Sequence, residues 1–319
     1  MEENDTKILR AFEDHAWMPS KEKIQIELDP VVNRFSSLMS SEKWNEQYLL
    51  LRRRVKNGKG IFLSNYFRPL EDIKKVVSKL MLDGFEYILA FISEYYNQFK
   101  SFLDDQAKQM NEALSVFLQQ NIIMQGPEFL EACENCEKIQ ITSKSNSEEK
   151  CECGSRLFRV FKSTLNDSVR KSLLNNQFIE VFARDCMRDA GLKLISKKTN
   201  GARVSTSIQY NVPPIPVEID VAAVKRGRVF VCECKTNTVT PNDIAIKLSH
   251  LQRLVKSIET ETGKLKVIYC LLSTEEIDKN IQPQGYRSSH DWLEDLIRVQ
   301  GQDVSSLKER LQEYASTLS

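Results

Sequence analysis

After Pro69, apolar side chains recur at alternating steps of three and four: Ile73, Val77, Leu80, then Ile88, Phe91, Tyr95, Phe99, Phe102, Met110, Leu114 and Phe117. A stripe of that period marks helix buried along one face, here one long helix or two divided near Gly84. It predicts a helical core or a self-association seam, and so a homodimer or a partner protein held through the amino-terminal helices. The residues before it, up to about Gly60, also read as mostly helical. They end in a basic cluster (Arg52, Arg53, Arg54, Lys56, Lys59) whose role the pattern does not disclose.

Gly126-Pro127 halts the helical period, and a different pattern begins near Asn166. Its order is helix (Ser172 to Asp189), strands (about Val204 to Tyr210, Val217 to Val224, Val229 to Lys235), helix (Asn242 to Glu261) and strand (Lys266 to Ser273). Two further helical patterns follow, Asp291 to Val299 and Val304 to Tyr314. The expected fold is α/β, a mixed sheet flanked by helices, with its middle strands joined by the turn Lys225-Arg226-Gly227-Arg228. The expected division is an α-helical region over 1–125, a cysteine-bearing module over 126–165 and the α/β unit over 166–319.

A length of 319 residues suits two or three such units, and 41% hydrophobic with 28% charged residues is ordinary for a chain that folds. The 45 basic residues are matched by 44 acidic ones, which excludes a polybasic coat for nucleic acid; phosphate contacts must come from local patches. No apolar run spans a bilayer, and Met1 to Asp14 is too acidic and polar for a signal segment, so an intracellular protein with no membrane partner is expected.

Four of the eight cysteines form two close pairs, Cys133-Glu-Asn-Cys136 and Cys151-Glu-Cys153-Gly154, separated by a polar insert. Thiolates presented from two tight turns can enclose Zn²⁺ tetrahedrally, and four of them leave no open position for catalysis. A structural zinc ribbon is the expectation, with a redox dithiol or unrelated buried thiols as alternatives. Cys186, Cys232, Cys234 and Cys270 lie in apolar patterns and read as core.

The strands Pro216-Val-Glu-Ile-Asp220-Val-Ala-Ala-Val224 and Val229-Phe-Val-Cys-Glu233-Cys-Lys235 carry acidic groups where buried strands normally carry valine or isoleucine. Buried carboxylates are costly unless a cation answers them. Alternation puts Glu233 and Lys235 on one face, Glu218 and Asp220 on one face, and pairing through the turn brings Asp220 beside Glu233. Asp220, Glu233 and the main-chain carbonyl of Cys234 would offer the hard oxygens that Mg²⁺ or Mn²⁺ prefers. Lys235 could then orient or deprotonate an attacking water, a site for phosphodiester hydrolysis. The competing reading of Glu233-x-Lys235 is a surface ion pair; Glu218, beside the proline-rich entry, reads as a rim residue.

Strand-borne Asp220 followed by Glu233-x-Lys235 resembles the PD-(D/E)XK nuclease superfamily, the restriction-endonuclease-like enzymes, over roughly Ser172 to Ser273. In texture it is similar to the nuclease domains of CRISPR ancillary proteins. The resemblance implies a restriction-endonuclease-like sheet, a Mg²⁺- or Mn²⁺-dependent endonuclease acting on DNA rather than RNA, and by analogy a role in defence or repair. It implies a further acidic residue on the helix before the first core strand, a place Glu180 takes, and polar groups on the following helix, with Lys247, His250 and Gln252 as candidates. Where the family usually has proline just before the aspartate, this chain has Ile219.

From Lys193 to Thr236 eight basic residues face three acidic ones, and Lys197, Lys198, Lys225, Arg226 and Arg228, with Lys247 and Gln252 beyond, are the expected nucleic-acid contacts. A solvated hairpin tip would be equally basic. The rival from another class is a catalytically silent scaffold of the same fold that binds nucleic acid or protein.

Overall fold

The computed structural model describes residues 2–38, 88–91, 119–133, 135, 139–143, 150–155, 157–281, 286 and 291–317. The chain forms two compact units, one of residues 1–45 with 174–319 and the other of residues 46–173. The first helices therefore fold with the α/β unit and not with a separate helical region, a division the sequence boundaries did not anticipate.

The chain opens with α1 (Glu2–His15), the short strand β1 (Ala16–Trp17), α2 (Lys21–Leu28) and α3 (Pro30–Leu38). Ile8, Ala11 and Phe12 stand at helical spacing on α1 and are buried, which fixes the face it turns to the core. Ser20 caps α2 by accepting from the Lys23 N–H (3.3 Å), and Asp29 does the same for α3 through the Val31 N–H (2.7 Å).

In the second unit, β2 (Ile88–Phe91), β3 (Ile123–Cys133), β4 (Ile139–Ser143) and β5 (Leu157–Leu165) make an antiparallel sheet in the order β2-β5-β3-β4, followed by α4 (Asp167–Leu174). Ile88 and Phe91, read as part of a helical stripe, are thus strand residues paired with β5; the rest of the stripe, like the basic cluster at 52–59, lies outside the described residues. Gly126-Pro127 interrupts no helix. It falls inside β3, where the register with β5 shifts between Gln125 and Phe129, as a residue without an N–H requires.

The first unit resumes with α5 (Gln177–Asp189), β6 (Lys193–Leu194), β7 (Lys197–Thr199), β8 (Ala202–Val204), β9 (Thr206–Tyr210), β10 (Val217–Lys225), β11 (Arg228–Lys235), α6 (Pro241–Thr262), β12 (Lys266–Ser273), β13 (Leu293–Gln300), a 3-10 turn and α7 (Leu307–Thr317). The helix expected from Ser172 to Asp189 is two, because Asn176 adopts a left-handed conformation (φ 60°) that a helix cannot contain. The seven-stranded sheet runs β1-β9-β10-β11-β12-β13, with β6 also on β10. β9, β10 and β11 are antiparallel, while β11, β12 and β13 are parallel, so the sheet is mixed, with helices packed on it. Residues 293–300, nearly all within the helical pattern expected from Asp291 to Val299, are a strand. They form β13, where a register shift between Val267 and Ile268 lets Leu293 and Leu296 both be buried and so mimics a period of three.

The β10–β11 turn follows its sequence. Arg226 (φ 51°) and Gly227 (φ 76°) both take positive φ, the mirror-image turn that suits twisted strands, and Asp5 accepts from both their N–H groups (3.2 and 2.6 Å). A Cβ on Gly227 would lie 2.7 Å from Asn4 Nδ2. Gly227→Ala should therefore lower stability by about 1–2 kcal/mol in urea unfolding, the left-handed penalty for an L-residue; an unchanged midpoint would show that the turn can re-form in another type.

Candidate active site

One end of the large sheet gathers the carboxylates. β10 and β11 are buried almost throughout, and within them Asp220 and Glu233 are only 6% and 3% exposed. The register pairs Val221 with Cys232, so one step further Asp220 stands opposite Glu233. Asp220 Oδ2 accepts from the Cys234 N–H at 2.7 Å. In a strand the N–H and C=O of one residue point to the same side, so the Cys234 carbonyl is also turned toward β10.

The alternation read from sequence fails in β10 at this point. Val217 and Ile219 belong to the same apolar core as Ala222 and Val224, although odd and even positions of a regular strand face opposite ways. The phase shifts across Asp220 and Val221. On β9 the opposing residue, Ser207, has φ 50°, with regular pairing on either side (Ile219 with Ile208, Val221 with Thr206). The break lets Asp220 interact with groups on both faces of the sheet.

On one side is α6, started by the capping box of Thr240 and Asp243 with Pro241 at its first position. Its Lys247 Nζ lies 2.9 Å from Glu233 Oε1, and Lys235 Nζ approaches the same oxygen at 2.6 Å. On the other side is α5, whose Glu180 is 6% exposed and accepts from the Ser207 hydroxyl. Asn176, just before α5, accepts from the Thr236 hydroxyl, which ties the start of that helix to the end of β11.

Lys23 of α2 completes the group. Its Nζ donates to Glu218 Oε1 (2.6 Å) and to Ser207 Oγ (3.0 Å), and its main-chain carbonyl accepts from Gln177 Nε2 at 2.5 Å.

These charges perturb one another. Burial, then the charge of Glu233, pushes Asp220 up to about 7, while burial and the charge of Asp220 hold Glu180 well above the carboxylate range. Burial alone would lower Lys235 and Lys247, but Glu233 and Asp220 outweigh it and keep both ammonium groups above their ordinary value. Glu218 goes the other way, since the bond from Lys23 overcomes its burial and lowers it. A buried carboxylate held partly protonated is stabilised in its charged form by a cation placed beside it.

In an unfolded chain Asp220 would release its proton near pH 3.9. Between there and about pH 7 the folded chain binds the extra proton, so stability falls as pH rises across that window. In metal-free buffer the urea midpoint should drop between pH 5 and 7.5, and Asp220→Asn should flatten that fall; an equal slope in both would remove Asp220 as its source.

No family model matches the chain, and no curated protein does. Among solved structures, protein VC1899 from Vibrio cholerae aligns over 90% of this chain and 57% of its own, at 13% identity and a TM-score of 0.39. Can2 from Sulfobacillus thermosulfidooxidans, solved in complex with cyclic tetra-adenylate, aligns over 91% and 57%, at 12% identity and a TM-score of 0.39. The chain spans little more than half the length of either, and a likeness so slight assigns no activity.

Of the residues expected from sequence, Glu180, Asp220, Glu233, Lys235 and Lys247 come together. Gln252 is five residues from Lys247, about 140° around α6, and does not share its face. The hairpin bases are elsewhere: Lys225 is five residues, about 17 Å, along β10 from Asp220. Lys225 Nζ donates to the Ala190 carbonyl (3.1 Å), Arg228 Nε reaches both oxygens of Glu294 (3.1 and 3.0 Å), and Arg226 is held at its backbone by Asp5. These three serve the far end of the sheet and not the site. Lys197 Nζ donates to the Glu13 carbonyl at 2.9 Å, and Lys198 is exposed. Lys23 and Ser207 escaped the sequence reading: a lone lysine on an amino-terminal helix and a serine in a short strand carry no motif.

Among the described residues no three His, Cys, Asp or Glu side chains converge as a metal cage. Cys136 lies outside the described residues. Cys133 ends β3, paired with Leu157, and Cys151 begins a tight turn closed by the Gly154 N–H on the Cys151 carbonyl (2.7 Å), with Gly154 at φ 80°. Cys186, Cys232, Cys234 and Cys270 are buried, as expected of core thiols. Among the described residues no helix is long and apolar enough to cross a membrane.

Proposed function

We propose that the chain is a metal-dependent endonuclease, hydrolysing phosphodiester bonds in DNA rather than RNA. The observation that carries the reading is the buried pair Asp220 and Glu233 on adjacent strands, with Lys235 and Lys247 both on Glu233 Oε1. Asp220, Glu233 and the Cys234 carbonyl fit Mg²⁺ or Mn²⁺ as hard oxygen donors, and Glu180 would act on the ion at most through a water. The ion would acidify a bound water and polarise the phosphate. Lys235 then positions or deprotonates the attacking water and offsets charge that grows on the phosphoryl oxygens, and Lys247 holds a phosphate of the substrate. A second reading, a silent scaffold, draws on the same two lysines, because they already neutralise Glu233.

Incubation with plasmid, single-stranded DNA and RNA separates the two. We expect cleavage in Mg²⁺ or Mn²⁺, none in EDTA and none with Asp220→Ala. Cleavage that survives Asp220→Ala sinks the site assignment, and inertness on every substrate supports the scaffold.

The cysteine pairs are proposed to hold one structural Zn²⁺ through Cys133, Cys136, Cys151 and Cys153. The backbone register supports it, since the turn at Cys151 leads into the strand that pairs with the end of β3. Metal analysis of reduced protein should find about one zinc per chain; finding none would remove the ribbon.

A further inference from the structure

Trp17 is 61% exposed, the largest exposure of any large apolar side chain among the described residues. A single exposed apolar residue is ordinary; the row that Trp17 heads is not. In the sheet register Trp17 partners Gln209, and Gln209 partners Glu218. Cross-strand partners share a face, so the three form a line across β1, β9 and β10. Gln209 Nε2 donates to Glu218 Oε2 at 3.4 Å, and Glu218 accepts from Lys23 at 2.6 Å. Lys23 also donates to Ser207, which donates to Glu180. Two strand spacings, about 10 Å, therefore separate the indole from the edge of the carboxylate centre.

We infer that β1 and the start of α2 are the substrate wall of this site, where Trp17 stacks an unpaired base and Lys23 binds a neighbouring phosphate. The inference rests on the phosphodiester reading and narrows it to a single strand or an unpaired stretch. A base paired and stacked inside a duplex cannot present its face to an indole. An aromatic plane beside a cation is the arrangement that grips single strands without reading sequence. Lys23 suits the second task, since the bonds to Glu218 and Ser207 engage two of its three N–H groups. Met18, the next residue, is 43% exposed. The row between indole and centre is polar and ends in the Glu218–Lys23 ion pair.

The test is binding without cleavage. The full chain in EDTA is titrated into a labelled oligothymidylate of about fifteen nucleotides, within the span that single-strand binders cover, and into a blunt duplex of equal length, by anisotropy at fixed salt. We expect the single strand to bind more tightly. Trp17→Ala should weaken it about tenfold or more and leave duplex binding unchanged, and Trp17→Phe should stay within about threefold of the unmutated chain, keeping most of the stacking. Lys23→Met should weaken single-strand binding and lower its salt slope by about one contact. Single-strand affinity unmoved by Trp17→Ala, or a preference for duplex, overturns the inference and favours a protein-facing role for Trp17. Because Trp17 is largely exposed, its variants should keep the thermal midpoint of the parent, so a loss of binding is not a loss of fold. Trp17-dependent binding in a chain that cleaves nothing would strike the nuclease reading alone, and cleavage with no role for Trp17 would strike this one alone.

Discussion

Lys235→Met is expected to reduce metal-dependent cleavage by about 10²–10⁴-fold, the range in which a positioned acid–base group contributes. Lys235 is the last residue of β11 and Lys247 lies one and a half turns into α6, and both reach Glu233 Oε1, at 2.6 and 2.9 Å. Their positions distinguish their tasks. Lys235 is fixed on the strand that carries Glu233, whereas Lys247 reaches Glu233 from a separate helix and is free to serve a substrate phosphate. Lys247→Met should therefore act more through substrate affinity, raising KM with a smaller fall in kcat, while Lys235→Met lowers kcat itself. Single-turnover and steady-state rates on one substrate would decide it. Equal and modest losses from both would mean that the two only neutralise Glu233 and that neither handles the attacking water.

The centre was legible because strands 217–225 and 228–235 are apolar enough to make three acidic residues conspicuous, and the mirror-image turn at Arg226-Gly227 fixed which strand pairs with which. What was not legible has two physical causes. One is local geometry that sequence period does not encode: the left-handed Asn176, the phase shift at Asp220 and the register shift in β13 each change which way a side chain points without any change in composition. The other is tertiary placement. Counting charges from Lys193 to Thr236 treated both ends of a strand as one patch, although Lys225 and Asp220 stand at opposite ends of β10. Likewise nothing in residues 1–38 marks them as part of the α/β unit; only the fold brings Lys23 to Ser207 and Glu218.

What holds α2 there is a buried polar cluster, and breaking it should have the largest effect on stability. Glu27 is 1% exposed and accepts from the Ser205 N–H (2.8 Å), the Thr206 N–H (3.1 Å) and the Thr206 hydroxyl (2.7 Å), which anchors α2 to the entry of β9. Arg184 of α5 supplies the cation, at 3.3 Å from Glu27 Oε1, and also donates to Asn33 Oδ1 and Asp185 Oδ1, both at 2.7 Å. Arg184→Ala leaves the carboxylate its three hydrogen bonds but no counter-charge in a buried place, a loss of about 3–5 kcal/mol. The double variant Arg184→Met with Glu27→Leu removes both charges but leaves the Ser205 and Thr206 donors without their acceptor, so it should recover at most a small part of that stability. It should not recover nucleic-acid binding to the same extent, since the bonds that fix α2, and Lys23 with it, to β9 are gone. Urea unfolding of the three chains measures the first effect and oligonucleotide titration the second. A loss below about 1 kcal/mol for Arg184→Ala, the worth of an exposed ion pair, would show that the amides of Ser205 and Thr206 hold Glu27 unaided and that Arg184 is not what keeps α2 on the site.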